Sequence, residues 1–82
     1  MRTVNALTKL ERAGFYIVPV WGAVGWFMAA KLSSPYQIEF LTQKGEVALI
    51  RVRRIRDHGD SMTDHTAGVL ASSITKAIAL AD

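Results

Sequence analysis

"YQIEFLTQKGEVALIRVRRI" (residues 36–55) reads as two strands and the turn that joins them. In its first half Tyr36, Ile38 and Phe40 alternate with Gln37, Glu39 and Gln43, and Leu41 is the exception. A period of two is what a strand with one buried face requires. Lys44-Gly45 is a two-residue connection, since glycine accepts the positive φ of a tight hairpin. The second half begins apolar on both faces and ends in arginines: Arg51, Arg53, Arg54 and Arg56. A regular strand sends Arg51 and Arg53 to one face and Arg54 and Arg56 to the other. Ile50 and Val52 share the second face, whereas Ile55 falls on the first. A β-bulge near Arg53-Arg54 would return Ile55 to the core and gather Arg51 with later arginines, so the sequence predicts a slip there.

Upstream, "TVNALTKLERAG" carries Ala6, Leu7, Leu10 and Ala13 on one helical stripe. Thr3 is the expected N-cap and Gly14 the residue that ends the helix. "FYIVPVW" and "WFMAAKL" follow as strands around the Gly22-Ala23-Val24-Gly25 turn. Pro19 lacks a ladder donor, which places the first of them at a sheet edge or a bulge. Residues 13–30 hold eighteen positions without a charge, the lower limit for a spanning helix. Pro19, three glycines and mid-segment tryptophans argue instead for two buried strands and a turn, against membrane insertion and against a signal peptide. Downstream, "DSMTDHTAGVLASSITKAIALAD" (residues 60–82) is expected to be one helix, capped by Asp60 or Ser61.

The predicted architecture is a single α+β domain over residues 1–82, in the order α-β-β-β-β-α. It is an antiparallel meander with both helices on one face. So short a chain buries a small core, and its exposed edges and open face favour homodimerisation. The absence of cysteine excludes disulfides, thiolate metal sites and thiol nucleophiles, and fits a reducing cytoplasm. The net charge of +3 is unevenly spread: residues 1–56 hold nine bases and three acids, and residues 57–82 one base and four acids. A molecule of this polarity suits an anionic partner or a second copy of itself.

Three constellations bear on function. The arginines Arg51, Arg53, Arg54 and Arg56 are either a strand end pairing with Glu39 and Glu46 across the hairpin, or a phosphate-binding row. The element order resembles that of double-stranded-RNA-binding domains. Those domains grip phosphate with lysines at the start of their second helix, where this chain has Asp60, Ser61 and Asp64. "HGDSMTDH" (His58 to His65) offers metal ligands and a Gly-Asp-Ser triplet that resembles the nucleophile motif of GDS-type esterases. That family uses a much larger α/β domain, and a helix cap accounts for every residue in the stretch, so no metal and no catalytic group is expected. Trp21 and Trp26 flank the glycine-rich turn and are expected as core or interface anchors.

These readings add up to a small non-enzymatic binding or assembly module, cytoplasmic and homodimeric, without a cofactor. Its contact residues are Arg51, Arg53, Arg54, Arg56, Trp21 and Trp26. The alternative is a nucleic-acid-binding accessory protein using the same arginines.

Overall fold

Alternating polarity forms the hairpin as expected. The computed structural model describes residues 1–54 and 68–82. In it β3 (Tyr36–Gln43) and β4 (Glu46–Arg54) pair antiparallel across Lys44 and Gly45. Both turn residues have positive φ, 52° and 76°, the hairpin turn whose twist matches that of its strands. Pairing runs without a slip from Tyr36↔Arg54 to Leu41↔Leu49, then shifts so that Thr42 faces Val47 and Ala48 is the extra residue. Arg53 and Arg54 pair in register, so the slip expected there does not fall between them, and the bulge of the described strand is at its other end. Its cause is the phase of the apolar residues: Val47 sits at an odd position and Ile50 and Val52 at even ones, yet all three pack in the same core. One extra residue between them reconciles the phases. Ile55 and Arg56 lie outside the described residues.

The chain opens with α1 (Thr3–Arg12), whose Ala6 and Leu10 are fully buried one turn apart. Thr3 is not the cap. Its N–H donates to the Gly45 carbonyl at 2.8 Å, Arg2 occupies the cap position without a side-chain bond, and the Thr3 hydroxyl is buried and unpartnered. The preceding residues are drawn into the sheet, with Arg2 bridging Glu46 and the Val47 N–H donating to the Met1 carbonyl. The helix ends as its sequence predicts. Gly14, at φ 92°, donates to Glu11 and Phe15 donates to Leu10, the paired bonds of a Schellman motif. Phe15 and Leu10 are both buried, which supplies the apolar contact that accompanies that motif.

The charge-free run of residues 13–30 becomes the end of this turn, then β1 (Tyr16–Pro19), a loop, and β2 (Trp26–Ala30). Among the described residues no helix is long and apolar enough to cross a membrane. A fifth strand, β5 (Val69–Leu70), stands where a helix was expected, and completes a sheet of order β1-β2-β3-β4-β5. It pairs with β4 through Arg51↔Leu70 and Val52↔Val69. Gly68 permits this approach, because a Cβ there would lie 2.5 Å from the Val52 carbonyl oxygen. The last helix, α2 (Ile74–Ala81), is correspondingly short. Ser73 caps it, accepting from the Lys76 N–H at 3.1 Å. The expected caps at Asp60 and Ser61 lie outside the described residues.

Both helices cover one face of the sheet, as expected. Ala6 and Leu10 of α1 and Ile74, Ala77 and Ala81 of α2 share a core with Ala29, Ile38, Phe40, Ile50 and Val52. Ala29, Ile38 and Val52 face one another across three strands, as do Phe27, Phe40 and Ile50. The Phe27 and Phe40 rings stack with centroids 5.5 Å apart. Each large core side chain of this kind stabilises the fold by about 1.5–3 kcal/mol. Ser34, the one buried polar residue of the described core, donates its hydroxyl to the Ala81 carbonyl and accepts from the Tyr36 N–H. That pair of bonds ties the end of α2 to the start of β3.

Candidate functional site on the open face of the sheet

A strand that buries every second residue presents the others on the opposite face. With both helices on the core side, the pairing register arranges the remaining side chains in three rows. The first holds Tyr16, Gln37 and Arg53, with Ala30 in the same row but buried. Val18, Met28, Glu39, Arg51 and Leu70 make the second, and Trp26, Leu41 and Leu49 the third. Several of these are large apolar groups left in solvent: Tyr16, Val18, Leu49 and Leu70 are between 39% and 65% exposed.

At the centre of the face lies Glu39, whose side chain is only 13% exposed. Arg51 donates from Nε and Nη2 to its Oε1, at 2.9 and 2.7 Å. Gln37 Nε2 donates to Oε2 at 3.0 Å, and Arg53 Nη1 stands 3.7 Å from the same oxygen. The Arg51 guanidinium also lies 5.9 Å from the Trp26 ring centroid, a cation–π contact. One carboxylate therefore holds two guanidinium groups, leaving a local charge of +1. The sequence expectation of pairing with Glu39 is met. Glu46 is instead engaged by the N-terminal ammonium of Met1 at 3.4 Å.

The expected contact residues divide three ways. Arg51, Arg53 and Trp26 converge on the open face. Arg54 is exposed but shares the core-side phase of Ile50 and Val52, at the strand end opposite Tyr36. A flat ligand on the open face touches the first two arginines and misses Arg54. Trp21 belongs to neither group: it is 99% exposed on the loop between β1 and β2, where Val24 is 100% exposed. Arg56 and the His58–His65 cluster lie outside the described residues. Sequence reasoning missed Tyr16, Val18, Met28, Leu41 and Leu49 as members of the face. Their signal was phase, because each alternates with a residue that reached the core.

The sheet edges are less available. In β1 the Val20 N–H donates inward to Trp26, so alternation turns the main-chain groups of Ile17 and Pro19 outward, where proline has no donor to offer. The outer edge of β4 is occupied at its start by Met1–Thr3 and further on by β5. Between them runs a groove of about 400 Å³ lined by Val47, Ala48, Leu49, Ile50, Leu70, Ala71 and Ser72. Among the described residues no charged side chain lines it.

No known protein family, characterised protein or solved structure matches this chain.

Proposed function

We propose that the protein is a non-catalytic assembly module that self-associates through the open face of its sheet. The observation that carries this reading is the face itself, an apolar frame of Tyr16, Val18, Trp26, Met28, Leu41 and Leu49 around polar groups already bonded to one another. Groups that bond internally lose less when water leaves than unpaired arginines would. Four strands about 4.8 Å apart and three rows about 6.6 Å apart make a patch of roughly 20 Å each way. Its flat area of about 400 Å² per copy is smaller than the roughly 800 Å² per partner of a standard interface, so the association is expected to be weak. Guarded edges direct association to the face. The weaker alternative, phosphate binding, has to displace Glu39 from both guanidinium groups, which weighs against it.

Sedimentation equilibrium tests the reading. The expected result is a reversible dimer at micromolar concentration, with Trp26→Ala raising the dissociation constant at least tenfold. Leu49→Glu, at an exposed position, should yield a folded monomer by the same measurement. A wild-type monomer at the highest attainable concentration would refute the proposal. Salt-sensitive binding to a DNA or RNA oligonucleotide, lost in an Arg51→Ala and Arg53→Ala double variant, would favour the nucleic-acid alternative.

A further inference from the structure

We infer that the loop between β1 and β2 docks the protein on an anionic lipid surface, with Trp21 and Val24 entering the headgroup region and Arg2 and Lys44 facing its charge. This goes beyond the self-association reading and does not depend on it.

The loop is built to display two apolar side chains. The Ala23 N–H donates to the Val20 carbonyl at 3.2 Å, and the Trp26 N–H to the Ala23 carbonyl at 3.1 Å. Residues 20–23 and 23–26 are therefore two β-turns in succession. Gly22 and Gly25, at φ 79° and 85°, take the third position of each, where a type II turn requires a positive φ. Trp21 and Val24 take the second position, and both are fully exposed. That position asks only for an ordinary backbone angle, so the turns give no reason for a tryptophan. The backbone beneath them is pinned. The Gly25 carbonyl accepts from the Thr42 N–H at 2.8 Å and from its hydroxyl at 3.0 Å, and the Val20 N–H donates to the Trp26 carbonyl at 2.9 Å. Side chains held on an ordered backbone lose less freedom when they are buried by a partner.

The charge around the loop selects the partner. In an antiparallel meander the β1–β2 loop and the β3–β4 turn share one end of the sheet, which brings the exposed Lys44 to this end. The bond from the Thr3 N–H to the Gly45 carbonyl brings Arg2 there as well. The acid beside them, Glu46, is engaged by the Met1 ammonium. Among the described residues neither Arg2 nor Lys44 is ion-paired. Side chains as exposed as Trp21 and Val24 stand on a convex apex, which offers little area to a protein. A lipid interface accepts a single indole, whose ring is apolar and whose N–H stays wet. Each basic residue close to an anionic surface adds about fivefold in affinity. The contact is two side chains deep and is distinct from a spanning segment.

Co-sedimentation with vesicles of equal parts phosphatidylcholine and phosphatidylserine tests the inference. Wild type should bind these vesicles and bind pure phosphatidylcholine at least tenfold more weakly. Trp21→Ala should lose at least tenfold in affinity, and so should an Arg2→Gln and Lys44→Asn double variant, asparagine being chosen because it accepts the positive φ of the turn. Equal melting temperatures verify that these surface changes leave the fold intact. In a Trp26→Phe variant Trp21 is the remaining tryptophan, and its emission should shift to the blue on the anionic vesicles and be quenched by brominated lipid. No binding of wild type to the anionic vesicles, or binding that Trp21→Ala leaves unchanged, would overturn the inference. Equal affinity for the two vesicle compositions would overturn it as well, because the basic groups would then have no role.

Discussion

Glu39 receives three side chains on its two oxygens, and its carboxylate is the most buried charged group of the open face. Glu39→Gln keeps the shape and removes the charge that offsets two half-exposed guanidinium groups. Urea denaturation should show a loss of about 1–2 kcal/mol, since charge-assisted bonds are replaced by weaker ones. The variant should also dissociate at higher protein concentration than wild type in sedimentation, because two uncompensated guanidinium groups cost more to desolvate in the proposed interface. At Gly25 the constraint is backbone approach. Its φ is 85° and a Cβ would lie 2.8 Å from the Thr42 carbonyl oxygen, while its own carbonyl accepts from the Thr42 N–H and hydroxyl. Gly22, at φ 79°, has open space around it. Gly22→Ala should therefore cost only the left-handed strain, about 1–2 kcal/mol, and Gly25→Ala measurably more in the same assay. Equal costs would show that the approach to Thr42 is not limiting.

At the scale of elements, β4 and α2 show what periodicity conveys and what it leaves open. In "EVALIRVRR" the apolar residues change phase between Val47 and Ile50, and that change locates the bulge at Ala48. The phase break at Ile55 that pointed to the arginine end lies outside the described residues, and Arg53 and Arg54 themselves stay in register. In the C-terminal segment a 3.6-residue stripe runs from Ala67 to Ala81, yet Val69 and Leu70 are in the sheet. Two residues beside an open strand edge gain main-chain pairing that outweighs a weak helical preference there. Ser72-Ser73 was the visible mark of the true helix start. Ser73→Ala should lower stability by about 1 kcal/mol through loss of the bond to the Lys76 N–H. A chevron or equilibrium denaturation series reads this directly, and an unchanged midpoint would mean that the helix is held by its core residues alone.

Across the whole molecule, folding is expected to be linked to association. If the open face is buried in a dimer, the melting temperature should rise by several degrees for a tenfold increase in protein concentration. A melting temperature constant over a hundredfold range would indicate a monomeric folded state. An 82-residue chain with helices on one side of its sheet leaves its other side without an internal layer among the described residues, and a second copy is the assembly proposed to supply that layer.

The sequence by itself determined the alternation of β3, the turn at Lys44-Gly45, the stripe of α1 with its Gly14 stop, and the edge position forced on β1 by Pro19. All of these are local, set by side-chain period and backbone sterics over a few residues. Only the tertiary structure decided which face Arg51 and Arg53 share with Trp26, Met28 and Tyr16, because those residues come from separate strands and meet through register. It also decided that Thr3 gives up its capping role to Gly45, that Gly68 lets β5 reach β4, and that Trp21 stands clear of Trp26. Each depends on a contact between segments distant in the chain, where no local pattern carries a signal.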